Sequence, residues 1–104
     1  MELRKIDTND TIVTWVFNGN LDADGSRQAQ PHIDEILAEP STREIEIDFS
    51  KVQFLDSSGV GAIVYLYKRL VESQRSMRIE NASSQPLEIM NLLRINQPLT
   101  VNGN

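Results

Sequence analysis

The stretch Phe54-Leu55-Asp56-Ser57-Ser58-Gly59-Val60-Gly61 joins a strand-like segment to a helix-like one. An apolar pair runs directly into Asp56, two serines and a glycine, and a helical pattern begins at once. A carboxylate and two hydroxyls therefore lie at a helix N-terminus, where backbone N–H groups lack partners and the helix dipole is positive. Such side chains cap helices, and an anion is tolerated beside them. Taken alone, the stretch is most simply interpreted as an N-cap.

The segments before this stretch predict strands. Residues 11–17, Thr-Ile-Val-Thr-Trp-Val-Phe, are β-branched and aromatic, and residues 3–6 form a shorter candidate that would pair with them as a hairpin. Residues 44–48 alternate between carboxylate and apolar side chains, and residues 77–80 repeat the alternation. Strict alternation indicates that one face of the sheet meets solvent. We therefore expect a sheet that is covered by helices mainly on one face.

This alternation also predicts which side chains are buried. The expected core members are Ile45, Ile47, Ile63, Tyr67 and Ile79. The side chains expected to be exposed are Glu44, Glu46 and Arg78.

Three segments have helical spacing. The first is firm from Pro31 to Ala38, because proline fits a first helical turn but breaks an interior, and Ser26 is a possible cap of a looser turn before it. The main helix runs from Gly59 to about Ser73, and a last one covers residues 86–93. The sequence contains no evident internal repeat. We predict an α/β fold in which residues 1–104 form a single domain, with a small mixed sheet, an N-terminal hairpin, βαβ crossovers and three to four helices.

Composition excludes several classes of protein. With 104 residues there is room for one core, and the net charge of −5 argues against nucleic-acid binding. Residues 1–56 hold twelve acidic and five basic side chains, whereas residues 57–104 hold three acidic and five basic. This asymmetry indicates either a solvated acidic face or a surface that steers a basic partner. No apolar run reaches the roughly 20 residues of a membrane span, and no signal peptide is evident, so we expect a cytoplasmic protein without membrane insertion.

The residues that enzymes and metal sites require are sparse. There is one histidine, His32, and no cysteine, and neither a hydrolase Gly-x-Ser-x-Gly motif nor a lysine-terminated phosphate loop occurs. Asp22, Asp24 and Asp56 could form a carboxylate cluster of the kind that binds a metal ion, but roles in turns and helix caps explain these residues better. We therefore expect no cofactor, no metal ion and no enzymatic activity.

Four elements in order resemble a known family. Gly19-Asn20-Leu21-Asp22 follows a strand, a second strand covers residues 45–49, Asp56-Ser57-Ser58-Gly59 comes next, and Tyr67-Lys68-Arg69 lies in a long helix. Over about residues 3 to 95 the chain resembles the STAS domain of bacterial anti-sigma factor antagonists. In that family a serine of this motif, usually the one directly after the aspartate, is phosphorylated by a kinase that is also the anti-sigma factor, and a PP2C-type phosphatase reverses the modification.

The resemblance implies a phosphorylation-controlled binding module. Ser57 would be the phosphoacceptor, with Ser58 as the second choice, and the unphosphorylated protein would hold the anti-sigma factor kinase. The residues expected at the partner surface surround this motif: Asp22, Asp24, Asp56, Ser57, Ser58, Gly59 and Gly61. The glycines would allow a partner to approach the backbone closely.

A second hypothesis keeps the fold and removes the switch. The domain would then be a structural STAS subunit of a transport or signalling complex, and the serine would be a cap. The sequence also departs from the family in its last third. Gln74-Arg75-Ser76 stands where a glycine-rich turn is common, and residues 94–98, Arg-Ile-Asn-Gln-Pro, replace the usual Thr-Gly-Leu.

Overall fold

The computed structural model describes residues 1–103 and shows five strands and three helices. The elements in chain order are β1 (Glu2–Asp7), β2 (Ile12–Leu21), α1 (Ala23–Ala38), β3 (Glu44–Leu55), α2 (Ser57–Glu72), β4 (Met77–Ala82), α3 (Ser84–Leu92) and β5 (Thr100–Gly103). The sheet order is β1-β2-β3-β4-β5; β1 and β2 are antiparallel, and every other pair is parallel. The predicted α/β fold, mixed sheet and N-terminal hairpin are confirmed. None of the three helices combines the length and apolarity needed to cross a bilayer.

A single hydrophobic core lies between the helices and the sheet. Ile45, Ile47, Ile63 and Ile79 are fully buried in it, as their spacing predicts. Tyr67 is only half-buried and packs against the margin of this core, so its predicted place inside was wrong. The residues that alternate with the buried strand positions point to the opposite face. The prediction of a sheet covered mainly on one face is confirmed.

The charged side chains of that second face were predicted to be exposed, and this prediction was wrong. Glu44, Glu46 and Arg78 are half-buried. Arg78 pairs with Glu46 across β3 and β4, with 2.6 Å between Arg78 Nη2 and Glu46 Oε2, and it also contacts Glu44 and Glu80. The hydroxyl of Thr14 on β2 donates to Glu46 over 3.2 Å. The alternation identified the face correctly, but adjacent strands bring opposite charges together and so reduce their exposure.

Helix α1 starts eight residues earlier than predicted and contains Pro31 in its interior. Its cap is Asp22 and not Ser26. Proline removes one hydrogen bond of the helix and crowds the preceding turn. Pro31 lies on the exposed side, while Ala29 and Ile33 on the other side are fully buried. Burial of that apolar face, together with the aspartate cap, offsets the local penalty.

Helices α2 and α3 end in the same backbone motif, with an unusual residue at the critical position. In α2 the N–H of Arg75 donates to Leu70 O and that of Gln74 to Val71 O, over 2.8 and 2.9 Å. In α3 the N–H groups of Ile95 and Arg94 make the equivalent bonds, both of 3.1 Å. This Schellman arrangement needs one left-handed residue, which is usually glycine. Here Gln74 and Arg94 fill it, with φ of 59° and 57°.

Arg75 ties the end of α1 to the end of α2. Its Nη1 donates to the carbonyl oxygens of Ile36 and Glu39, over 3.2 and 3.4 Å. Burial lowers the pKa of Arg75, and nearby Glu39 acts in the opposite direction. A cation at the carbonyl end of a helix is favoured by the helix dipole. The departure from a glycine-rich turn therefore has a structural explanation at this position.

Candidate functional site

Two strand ends and two helix starts meet at one edge of the sheet. Leu21 and Leu55, the last residues of β2 and β3, are partners in the parallel register, and both are fully buried. Each is followed by an aspartate that caps the next helix. Asp22 Oδ1 accepts from the N–H of Gly25 over 2.8 Å, and Asp56 Oδ1 accepts from the N–H of Gly59 over 3.1 Å. The N-termini of α1 and α2 therefore lie side by side.

The two helix starts share the five-residue pattern Leu-Asp-x-x-Gly, at residues 21–25 and 55–59. The expectation that the sequence contains no internal repeat was therefore wrong at this short scale. The signal of the repeat was available, because the same residue types recur at the same spacing after two predicted strands. The repeat shows that both aspartates have a structural role as caps, whatever else they do.

The glycines near the motif have two different roles. A side chain at Gly59 would collide with the carbonyl oxygen of Leu21 and with the side chain of Leu55, so this glycine is required for packing. Gly25 is required in the same way against the carbonyl of Asn20. At Gly61 an added Cβ would have no neighbour within 4 Å. Gly61 therefore leaves open surface beside the two serines, where a second molecule can approach the helix.

A glutamine from α3 holds the strand end that leads into the motif. Gln85 Oε1 accepts from the N–H of Leu55 over 2.8 Å, and Gln85 Nε2 donates to Leu55 O over 2.7 Å. The pairing of β3 with β4 stops at Asp48 and Glu80, well before this point. The side-chain amide takes the place of a neighbouring strand. No sequence pattern indicated this contact, because it joins residues that are distant in the chain.

Ser57 and Ser58 are both exposed at the start of α2. They occupy the first two positions after the cap, whose N–H groups have no acceptor within a helix. The exposed ring of Phe54, 41% accessible, precedes them on the strand side. The start of α2 therefore presents two exposed hydroxyls and an exposed aromatic ring on one part of the surface.

An open groove of about 600 Å³ runs between α1 and α2 next to the serines. Its walls are Ser26, Arg27 and Gln30 on α1, and Ser58, Gly61, Ala62 and Tyr65 on α2. Ser58 lines this groove, and Ser57 does not. Three of these residues, Arg27, Gln30 and Tyr65, were not among those predicted for the site. Their exposure and helical spacing, once both helix starts are placed side by side, explain their presence.

The three carboxylates named as a possible cluster are engaged separately. Asp22 and Asp56 cap their helices, and Asp24 forms an ion pair with Arg27 one turn along α1. Within residues 1–103, no group of three or more histidine, cysteine, aspartate or glutamate side chains is arranged to hold a metal ion.

We predict that Gln85→Ala destabilises the domain by about 1–3 kcal/mol, because it leaves the buried N–H and C=O of Leu55 without partners. Chemical denaturation measures the loss. Gln53→Ala is the matched control, since Gln53 is an exposed glutamine on β3, and its change should stay within about 0.5 kcal/mol. Equal effects of the two substitutions would contradict a specific role of Gln85.

Comparisons with known proteins agree with this architecture. A putative anti-sigma factor antagonist from Thermotoga maritima is 17% identical, with a TM-score of 0.86 over 98% of this chain and 86% of the other. The Bacillus cell-fate determinant SpoIIAA, solved in its phosphorylated form, is 18% identical, with a TM-score of 0.71 over 96% of this chain and 90% of the other.

A mouse anion transporter, Solute Carrier 26 family member A9, also contains a similar unit. It is 18% identical, with a TM-score of 0.71 over 86% of this chain and 15% of the transporter. At these identities the likenesses show the shared fold alone. A comparison with curated protein sequences found no match.

The sequence itself identifies the family. Residues 4–102, nearly the whole chain, match the STAS domain. The aspartate-capped helix start that follows β3, with its two exposed serines, lies within the matched region. The chain therefore belongs to the STAS domain family.

Proposed function

We propose that this protein is a phosphorylation-controlled anti-sigma factor antagonist, and that it acts as a binding module and not as an enzyme. The observation that carries the proposal is the setting of Ser57. Its hydroxyl is exposed at the first position of α2, while Asp56, Gly59 and Gln85 fix the backbone around it. A kinase can reach such a serine without unfolding the domain.

The proposed partner is an anti-sigma factor that is also a serine kinase. The unphosphorylated domain would hold this kinase through the surface around the motif, which includes Asp22, Asp24, Ser58 and Gly61. Phosphorylation of Ser57 would release it, and a PP2C-type phosphatase would restore binding. Since the kinase would consume ATP, we propose that the exchange takes place in the cytoplasm. SpoIIAA, an anti-sigma factor antagonist of the same fold that has been solved in unphosphorylated and phosphorylated forms, supports this proposal.

Simple electrostatics favours a switch that acts on binding and leaves the fold intact. A phosphate adds about −1.5 to −2 charges at pH 7. The N-terminus of α2 stabilises such a charge by roughly 0.3–1 kcal/mol when it is exposed, and the neighbouring Asp56 carboxylate repels it. The two effects largely cancel in the free protein. At a docked interface, a phosphate without a cationic partner loses its water, and binding is then strongly disfavoured.

We predict that incubation with an anti-sigma serine kinase of the same organism and ATP adds one phosphate, at Ser57. Intact-mass analysis and phosphopeptide mapping measure this, with Ser57→Ala and Ser58→Ala as paired variants. Only Ser57→Ala should abolish the modification. Phosphate on Ser58 alone would overturn the choice of residue, and no phosphate at all would favour a structural STAS subunit of a transport or signalling complex.

We predict that Ser57→Asp binds the kinase at least tenfold more weakly than the wild type, because it places a charge where the partner docks. Its melting temperature should change by no more than a few degrees, and Ser57→Ala should bind as the wild type does. Calorimetric titration and circular dichroism measure the two quantities. An unfolded Ser57→Asp, or one that binds with wild-type affinity, would contradict the switch.

We predict that Gly61→Ala weakens kinase binding while the domain becomes slightly more stable. The added methyl group has open space in the free protein, and alanine stabilises an exposed helix position by about 1 kcal/mol relative to glycine. Gly59→Ala is the contrasting variant and should destabilise the fold through its collision with Leu21 and Leu55. Kinase affinity that Gly61→Ala leaves unchanged would remove this part of α2 from the interface.

A further inference from the structure

A second cavity lies on a different face of α2 from the groove beside the serines. It is a half-open hollow of about 230 Å³, lined by Val64, Tyr67 and Lys68 of α2 and by the segment that precedes β5. That segment contributes Arg94, Ile95, Gln97, Pro98 and Leu99. Most of these side chains are apolar. The segment that precedes β5 is also the one in which the sequence departs from the usual Thr-Gly-Leu.

Two cationic side chains at this cavity have no ion-pair partner among residues 1–103. Lys68 and Arg94 are exposed, and neither forms an ion pair with any carboxylate of residues 1–103. Arg69, the neighbour of Lys68, is instead engaged by Glu72 and by the hydroxyl of Tyr65. In a protein of net charge −5, two unpaired cations beside an apolar cavity are complementary to an anion.

The backbone conformation at Arg94 fixes where this side chain starts, at the end of α3 and beside the cavity. Arg94 holds the left-handed position that ends α3, with φ of 57°. Glycine adopts this conformation at no steric cost, asparagine sometimes does, and arginine is uncommon there. The left-handed turn does not require a particular side chain, since Gln74 fills the same position after α2, so the exposed guanidinium of Arg94 remains available to a ligand at the cavity.

We propose that this cavity binds an amphipathic monoanion, of the class of medium-chain aliphatic carboxylates. The aliphatic chain would occupy the apolar space between Val64, Ile95 and Leu99, and the carboxylate would lie between Lys68 and Arg94. The cavity is too small for a partner helix, and an inorganic anion would leave its apolar lining unused. The site is separate from the serines, so the inference goes beyond the proposed partner switch and stands or falls without it.

Sodium octanoate is the probe, and sodium acetate and octyltrimethylammonium are its controls. Calorimetric titration of the full chain should show octanoate binding to one site. Nuclear magnetic resonance should place the largest amide shifts at Ile95, Leu99 and Tyr67. Acetate should bind far more weakly because it lacks the aliphatic chain. Octyltrimethylammonium should also bind far more weakly, because its charge is positive. Absence of octanoate binding at millimolar concentration, or equal binding of the cationic analogue, would overturn the proposal.

Three single variants separate ligand binding from folding. Arg94→Gly should weaken octanoate binding about tenfold or more, as loss of a charged hydrogen-bond partner does, while the melting temperature stays level or rises. Lys68→Gln should weaken binding to a similar degree. Arg69→Gln is the matched control on the same helix and should bind as the wild type does. Unchanged affinity in both Arg94→Gly and Lys68→Gln, or an equal loss in Arg69→Gln, would overturn the assignment.

Discussion

The close approach of α2 to the end of β2 is the constraint on which the site depends. Gly59 lies against the carbonyl oxygen of Leu21, and no side chain fits between them. The same contact holds the strand ends in register, because Leu21 and Leu55 are partners in the sheet. The Asp56 cap and the two hydrogen bonds between Gln85 and the Leu55 backbone further restrict the conformation of the first turn of α2. The exposed serines therefore stand on a rigid base, which favours recognition of a fixed shape by a partner.

Much of this arrangement could be predicted from local patterns. Alternation in residues 44–48 and 77–80 identified the buried face, and the Asp-Ser-Ser-Gly sequence identified the start of α2. The errors arose where a distant contact overrides a local preference. Pro31 signalled a helix start, but burial of Ala29 and Ile33 keeps the helix continuous through it. Interactions between adjacent strands, which sequence spacing does not show, account for the half-buried state of Arg78.

The site was harder to predict than the fold, for a related reason. Each aspartate could be recognised as a cap by itself, yet the groove between α1 and α2 requires both helices to start at one edge. Gln85 gave no signal, since a glutamine in a first helical turn has many roles. Gln74 and Arg94 differ from Gln85, because both could be noticed in the sequence as departures from glycine. Their departure from glycine was visible in the sequence, but only the structure shows that both residues adopt the left-handed backbone conformation.

The repeated helix start offers evidence, within the chain itself, on how the fold responds to a negative charge. The second residue after the cap is Asp24 in α1 and Ser58 in α2, and the first is Ala23 in α1 and Ser57 in α2. Asp24 carries its charge next to a capping carboxylate, remains exposed, and pairs with Arg27. The α1 start accommodates two carboxylates without losing its hydrogen-bonded cap. A helix start of this design therefore accommodates a second negative charge when a cation one turn along pairs with it, and the position in α2 that corresponds to Arg27 is Gly61.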